Sequence, residues 1–184
     1  MSRDRPGLFL DRDGVIVADV QFLHRIEDCR FMPGLFELTA AFAARGYAVV
    51  MATNQGGIGR GLYDQATFAR LNDWMRAEIA RNGGQLDAIY YAPTHPTEAK
   101  GRFRRASDWR KPGAGMFVQA ARDLLLDLTA SLSIGNEQRD IDASRNAGIP
   151  DLFLLDPSAP APTRRDDCVV VPKLLDVLAL LANP

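Results

Sequence analysis

The stretch Leu8-Phe9-Leu10-Asp11-Arg12-Asp13-Gly14-Val15 (LFLDRDGV) decides how the chain is read. Three apolar residues in a row, cut off by two acidic residues and a glycine, read as a short strand ending in a polar turn. An apolar strand without polar alternation is buried on both faces, as in a parallel sheet covered by helices. The rest of the chain repeats this pattern. A helical period runs over 33–45, opened by Pro33, with Leu35, Leu38, Phe42 and Ala43 on one face and Gly46 as its stop. Residues 47–52 form a second apolar strand ending at Thr53-Asn54-Gln55, and 56–61 read as a glycine-rich loop. Asp64 is expected to cap a helix that runs to Arg81; a strand over 88–91 and a long loop over 93–112 come next. Then come a helix over 114–126, a strand over 131–134, a helix over 137–146 and a strand over 152–155. A loop over 156–167, a strand over 168–171 and a helix opened by Pro172 complete the chain. The alternation predicts an α/β, three-layer Rossmann-like fold with a central parallel sheet and no large cap domain, residues 1–184 forming a single domain.

Bulk properties narrow the function. With 184 residues, 47% apolar and 24% charged, the chain has an ordinary globular composition, against disorder or a fibrous fold. A net charge of −1 provides no basic field for nucleic acid or an anionic membrane, so an anionic ligand needs a local site. Cys29 and Cys168 are too few and too far apart for a disulfide framework or a structural zinc cluster. Residues 1–7 are polar, unlike a signal segment, and the longest strongly apolar run, 177–181, is far short of a membrane span. A cytoplasmic monomer is expected.

The polar residues just beyond each strand carry the chemistry. Asp11 and Asp13 come after the first, Thr53 and Asn54 after the second, and Gly135, Asn136 and Asp140 after the fourth; Lys111 precedes the third long helix. In a parallel sheet these groups converge beyond the carboxyl ends of the strands, where such folds bind ligands. Two carboxylates at a strand end suit a hard divalent cation such as magnesium. Thr53 offers a hydroxyl to phosphoryl oxygens, and Lys111 a point charge. Asp11 could attack phosphorus, while Asp13 protonates the leaving oxygen and later activates water. Taken singly, Asp-x-Asp is common, Thr-Asn is turn chemistry and Lys-Pro is a helix start. Their appearance together, in order and at element ends, favours the catalytic reading.

With LFLDRDGV, residues 50–54 with Gln55, Arg110-Lys111-Pro112 and IGNEQRD (134–140), the chain resembles the haloacid dehalogenase-like phosphatases over residues 8–155. NQGGIGRG (54–61) and LDAIYYAP (86–93) make it similar to the D,D-heptose 1,7-bisphosphate phosphatases and the related histidinol-phosphate phosphatases. The resemblance implies Asp11 as nucleophile and Asp13 as general acid/base, with Thr53 and Lys111 steadying the phosphoryl group. Magnesium is implied on the Asp11 carboxylate, the Asp13 carbonyl and Asn136. Substrate contacts are implied for Arg110 and for the 19–22 loop with Asp19 and Phe22, alongside Thr53, Asn54, Gln55 and Lys111. The implied substrate is a small phosphorylated sugar, heptose 1,7-bisphosphate losing its 7-phosphate on the way to lipopolysaccharide, with histidinol phosphate as the alternative. Without a cap, the loops 15–32 and 93–110 are expected to shape the pocket.

Other readings stay open. A receiver-like signalling domain also uses Asp, Thr and Lys-Pro on a parallel sheet, but would carry an Asp at the mid-chain strand end where Thr53 stands. A non-catalytic phosphate-binding relative would not need both Asp11 and Asp13. His24 and His95, the only histidines, read as loop residues. The 56–61 loop lacks the Gly-Lys-Ser/Thr ending of a nucleotide cradle. Arg102, Arg104 and Arg105 read equally as a solvated surface or as a dock for a second phosphate.

Two departures from the family pattern matter. The fourth motif of the family normally begins Gly-Asp; this chain has Gly135-Asn136, which keeps an oxygen ligand but loses a charge. Close relatives also carry Cys-x-His and Cys-x-Cys in a zinc loop, where this chain has Ala92, Thr94, Ser107 and Trp109. His95 alone cannot complete a four-coordinate site, so no structural zinc is expected. Elemental analysis of the purified protein should therefore find no stoichiometric zinc; one zinc per chain would overturn this.

Overall fold

A computed structural model describes residues 5–182. Along the chain lie β1 (Arg5–Leu10), α1 (Leu35–Ala44), β2 (Ala48–Asn54), α2 (Gly56–Arg60), α3 (Gln65–Arg81), β3 (Ala88–Ala92), α4 (Gly115–Leu124) and β4 (Leu126–Gly135). They are followed by α5 (Gln138–Asn146), β5 (Asp151–Leu155), β6 (Thr163–Arg164), β7 (Val169–Val171) and α6 (Leu174–Ala182). Of the polar segment 1–7, residues 1–4 lie outside the described residues and 5–7 begin β1.

The strands form one sheet in the order β3-β2-β1-β4-β5-β7-β6, parallel throughout except for the short β6. Alternate residues of the apolar strands pack on opposite faces, which is why those strands show no polar alternation. Leu8, Leu10, Val49 and Met51 join Leu38 and Phe42 of α1, Leu71 and Met75 of α3, and Leu174 and Val177 of α6. Phe9, Val50 and Ala52 face the other way, against Met116 and Phe117 of α4 and Ile141 of α5. The Phe9 and Phe117 rings are 5.1 Å apart. The three-layer expectation is borne out. β1 is central, with β2 and β3 on one side and β4 on the other. Strand order reverses there, and a crevice opens beyond the carboxyl ends of β1 and β4.

Several local expectations need correction. Residues 56–60 are a helical turn rather than a loop, because tertiary packing overrides the low helix propensity of their glycines. A Cβ on Gly57 would collide with the Tyr63 ring, and one on Gly59 with the Pro93 carbonyl. Strand β4 begins five residues before the expected 131, at Leu126, since residues 126 and 127 pair with Arg5 and Pro6 ahead of a bulge in β4. Buried Ser131 patches that irregularity, accepting from Gly7 N at 2.8 Å and donating to Asp127 O at 2.6 Å. Helix α4 accordingly stops at Leu124. The segment 156–167 contains the two-residue β6, and α1 starts at Leu35, after Gly34 in the left-handed region.

The 15–32 segment is anchored by Val15, Ile16, Val17, Leu23 and Cys29 in the core. The 93–110 segment packs behind α2: Phe103 joins Ile58, Tyr63 and Phe68, Ala99 is buried, and Arg110 donates to Thr94 O at 3.1 Å. Among the described residues no helix is long and apolar enough to cross a membrane.

Leu125 turns the chain from α4 into β4 with φ +53°, although 61% exposed. A left-handed conformation costs a branched residue about 1–2 kcal/mol, which glycine avoids at some cost in chain entropy. Leu125→Gly should therefore raise the unfolding free energy by up to about 1 kcal/mol in urea titration; a clear loss would contradict the strain.

Candidate active site

The first strand delivers its carboxylate to the crevice because Asp11 N continues the sheet pairing onto Ile134 O at 3.1 Å. Lys111 reaches the same place from the start of the segment that leads into α4. Its ammonium donates to Asp11 Oδ1 at 2.8 Å and Ala52 O at 2.8 Å, and lies 2.7 Å from Asp140 Oδ1. Asn54 fixes the lysine by its backbone, accepting from Lys111 N at 2.9 Å and donating to Lys111 O at 3.1 Å. Asp140 Oδ1 thus faces the ammonium as an ion-pair partner beside its two hydrogen-bond acceptors, Asp11 Oδ1 and Ala52 O.

Burial pushes Asp11 up to about 6, with Asp140 and Asp13 adding to the rise and Lys111 opposing it. Burial alone would lower Lys111; Asp11 and Asp140 outweigh it and hold the ammonium above its ordinary value. Asp140, noticed in the sequence only as one of the groups after the fourth strand, is therefore integral to the site. Its Oδ2 accepts from Asn136 N at 3.1 Å and Glu137 N at 3.0 Å, and the Glu137 and Asp140 side chains form a reciprocal cap on α5. The spacing of a capping box was the signal that could have found it.

The Asp13 carboxylate is gripped from two sides. Buried Arg12 donates to Oδ1 through Nε (3.1 Å) and Nη2 (2.9 Å) and to Oδ2 through Nη2 (3.0 Å). Gln55 Nε2 donates to Oδ2 at 3.0 Å. Thr53 is wholly buried below the cleft, its hydroxyl accepting from Gln55 Nε2 at 3.0 Å. Arg12 carried no signal in the sequence beyond its place between two aspartates.

The cleft, about 180 Å³, is lined by Asp11, Arg12, Asp13, Lys111 and Asp140, together with Asp19, Gln21 and Phe22 of the 15–32 segment. Residues 54–57, Tyr63, Glu137 and Arg139 complete the lining. Phe22 sits at φ +60°, with the Arg60 guanidinium 5.1 Å over its ring. The expected pocket loop 15–32 contributes, but no residue of 93–110 lines the cleft. Arg110 stands just outside, near Gly56. Burial, and then the neighbouring Arg139 and Arg60, hold its guanidinium below the usual value. Arg102 is turned away, donating to Gln65 at 3.0 Å and lying over Phe103; Arg102 and Arg105 border a separate surface depression.

The donor set fits a hard divalent cation. Asn136 packs across Gly14 (φ +86°), where any Cβ would strike the amide, and its Oδ1 is buried without a partner. A buried unpartnered carbonyl oxygen costs free energy unless something binds it. Around it three buried or half-buried carboxylates (Asp11, Asp13 and Asp140) face two cations, Lys111 and Arg12, leaving negative charge in excess.

Comparison with known proteins agrees with this geometry. No family model matches the chain. It is 41% identical over 177 residues to the D-glycero-alpha-D-manno-heptose-1,7-bisphosphate 7-phosphatase of Burkholderia mallei, covering 96% of this chain and 94% of the relative. It is 37% identical over 179 residues to the corresponding beta-anomer phosphatase of Photorhabdus laumondii, covering 96% and 95%. Among solved structures, the D,D-heptose 1,7-bisphosphate phosphatase of B. bronchiseptica, complexed with magnesium and phosphate, superposes with a TM-score of 0.80 at 30% identity, over 96% of this chain and 98% of that one. By ancestry and by fold, the chain belongs to the heptose 1,7-bisphosphate 7-phosphatases of the haloacid dehalogenase-like superfamily.

Proposed function

We propose that this phosphatase removes the 7-phosphate of D-glycero-D-manno-heptose 1,7-bisphosphate with magnesium, through a phosphoryl group carried on Asp11. The observation that carries the chemistry is the buried Lys111 ammonium, 2.8 Å from Asp11 Oδ1, which holds a carboxylate with one free oxygen at the cleft floor. That oxygen bonds to phosphorus as the bond to the sugar oxygen breaks. Asp13 delivers a proton to the departing oxygen. In the second half Asp13 takes a proton from water as the water oxygen attacks phosphorus, and inorganic phosphate leaves as Asp11 is freed. Asp11, the Asp13 carbonyl and Asn136 Oδ1 would hold magnesium, which supplies the positive charge that lets an anionic nucleophile meet a phosphate dianion.

Three guanidiniums support a substrate with a second phosphate. Arg139 lines the cleft, and Arg60 and Arg110 are near enough to influence one another. Glu137 pairs with Arg139 and Glu98 with Arg60, so among the described residues Arg110 is the one of the three without a carboxylate within salt-bridge distance. A free sugar monophosphate would leave this group unused. Catalytic efficiency on both anomers of heptose 1,7-bisphosphate is expected to exceed that on histidinol phosphate by at least about tenfold, a difference near 1.4 kcal/mol. The reverse preference would overturn the substrate. Asp11→Asn should abolish turnover on every phosphate ester, and retained turnover would overturn the chemistry.

Magnesium binding, read by calorimetry, should follow the Asp11 proton. Below about pH 6 a proton occupies the carboxylate of the metal-free protein, so apparent affinity should fall by about tenfold per pH unit. For stability the direction is opposite to that of an ordinary ion-paired carboxylate. The penalty for ionised Asp11 is full above about pH 6 and is relieved as pH falls toward 3.8, the unfolded value. Asn136→Asp should tighten magnesium by roughly tenfold at neutral pH, since it restores a charge at the ligand oxygen. Unchanged affinity would remove Asn136 from the ligand set.

A further inference from the structure

Gln55 lines the cleft, yet each of its side-chain polar groups is already engaged by protein. Its two amide hydrogens go to Asp13 Oδ2 and Thr53 Oγ1, each at 3.0 Å, and its Oε1 accepts from the Tyr63 hydroxyl at 2.6 Å. Gln55 is 2% exposed and Tyr63 8%. We propose that Tyr63 and Gln55 are positioning residues: the Tyr63 hydroxyl fixes the Gln55 amide so that its N–H groups orient the Asp13 carboxylate and the Thr53 hydroxyl toward the reacting phosphate. This rests on the acid/base role given to Asp13 above.

The argument turns on donors and acceptors. An amide can face Asp13 with its nitrogen or with its oxygen, and the second arrangement sets a carbonyl oxygen against a carboxylate. The Asp13 carboxylate only accepts, so it takes an amide N–H; this turns Oε1 toward Tyr63, whose hydroxyl donates to it and braces the amide in that setting. Thr53 then accepts from Gln55 and keeps its own hydrogen to donate. One amide, braced by a tyrosine hydroxyl, thereby orients two groups placed to handle protons and phosphate.

Tyr63 is itself held. Its ring stacks on His24 at 5.3 Å with planes 8° apart, and on the other side Gly57 leaves room that any Cβ would fill. The His24 ring is tied by Nδ1 to Phe22 O at 2.8 Å. Gln55 N donates to Ala92 O at 2.8 Å, continuing the pairing of β2 with β3. Arg12 grips Asp13 from the opposite side, so the loss of the Gln55 contacts leaves the carboxylate bound but free to pivot on the guanidinium.

The test uses the full-length protein with magnesium, p-nitrophenyl phosphate and heptose 1,7-bisphosphate. Gln55→Leu should lower kcat about 100-fold and Tyr63→Phe about tenfold, with KM within about twofold on both substrates. The double variant should be no slower than Gln55→Leu alone, because the Tyr63 hydroxyl donates to Gln55. Losses that multiply, a loss carried in KM, or full kcat in Tyr63→Phe would each overturn the proposal. Should Gln55→Leu fail to fold, Gln55→Glu replaces it; this near-isostere puts a carboxylate against Asp13 and should lose at least as much kcat. Asp13→Asn is measured alongside. If it keeps wild-type kcat, the role of Asp13 fails; if it is inactive while Tyr63→Phe is unimpaired, only the positioning role fails.

Discussion

A buried ammonium between two carboxylates holds this site together. Lys111 is 3% exposed, and an isolated charge so placed would be lost to desolvation. Asp11 and Asp140 keep it charged, and it keeps them close in spite of their mutual repulsion. The contact joins residues from distant parts of the chain: one after β1, one before α4 and one in the first turn of α5. Removing any partner leaves an uncompensated charge in the sheet crevice. Asn54 adds the backbone clasp that aims the lysine, and Ala52 supplies the remaining acceptor.

Asn136 stands beside a site with excess negative charge around Lys111. Asn136 still presents an oxygen, and Gly14 gives it room. A neutral amide would attract a divalent ion less than a carboxylate in the same place, and would leave an occupied site one unit more positive toward a phosphate dianion. Asp140 is itself fully engaged, one of its oxygens facing Lys111 and the other two backbone N–H groups.

Ala92, Thr94, Ser107 and Trp109, in and beside the long loop, are not soft metal ligands. Here the loop is secured by contacts that need no ion: Phe103 against Ile58 and Tyr63, Ala99 beneath Gly59, Arg110 on the Thr94 carbonyl, and Trp109 near Tyr90. This packing explains why α2 tolerates three glycines. Gly57 admits the Tyr63 ring and Gly59 the Pro93 carbonyl, so these glycines serve close approach rather than freedom of motion.

The sequence alone determined the layer architecture, because apolar runs without alternation can be satisfied only between two helical layers. It also determined that Asp11, Asp13, Thr53, Asn54 and Lys111 gather at one sheet edge, because parallel strands bring all their carboxyl ends to one side. Tertiary structure decided what each group does there. Which amide atom of Gln55 faces Asp13, that Asn54 clasps Lys111, and that Arg12 and Asp140 belong to the site depend on contacts between distant segments, and no local pattern encodes them. The same holds for residues 56–60 and 126–127, where packing under residues 93–103 or pairing with β1 decides the conformation.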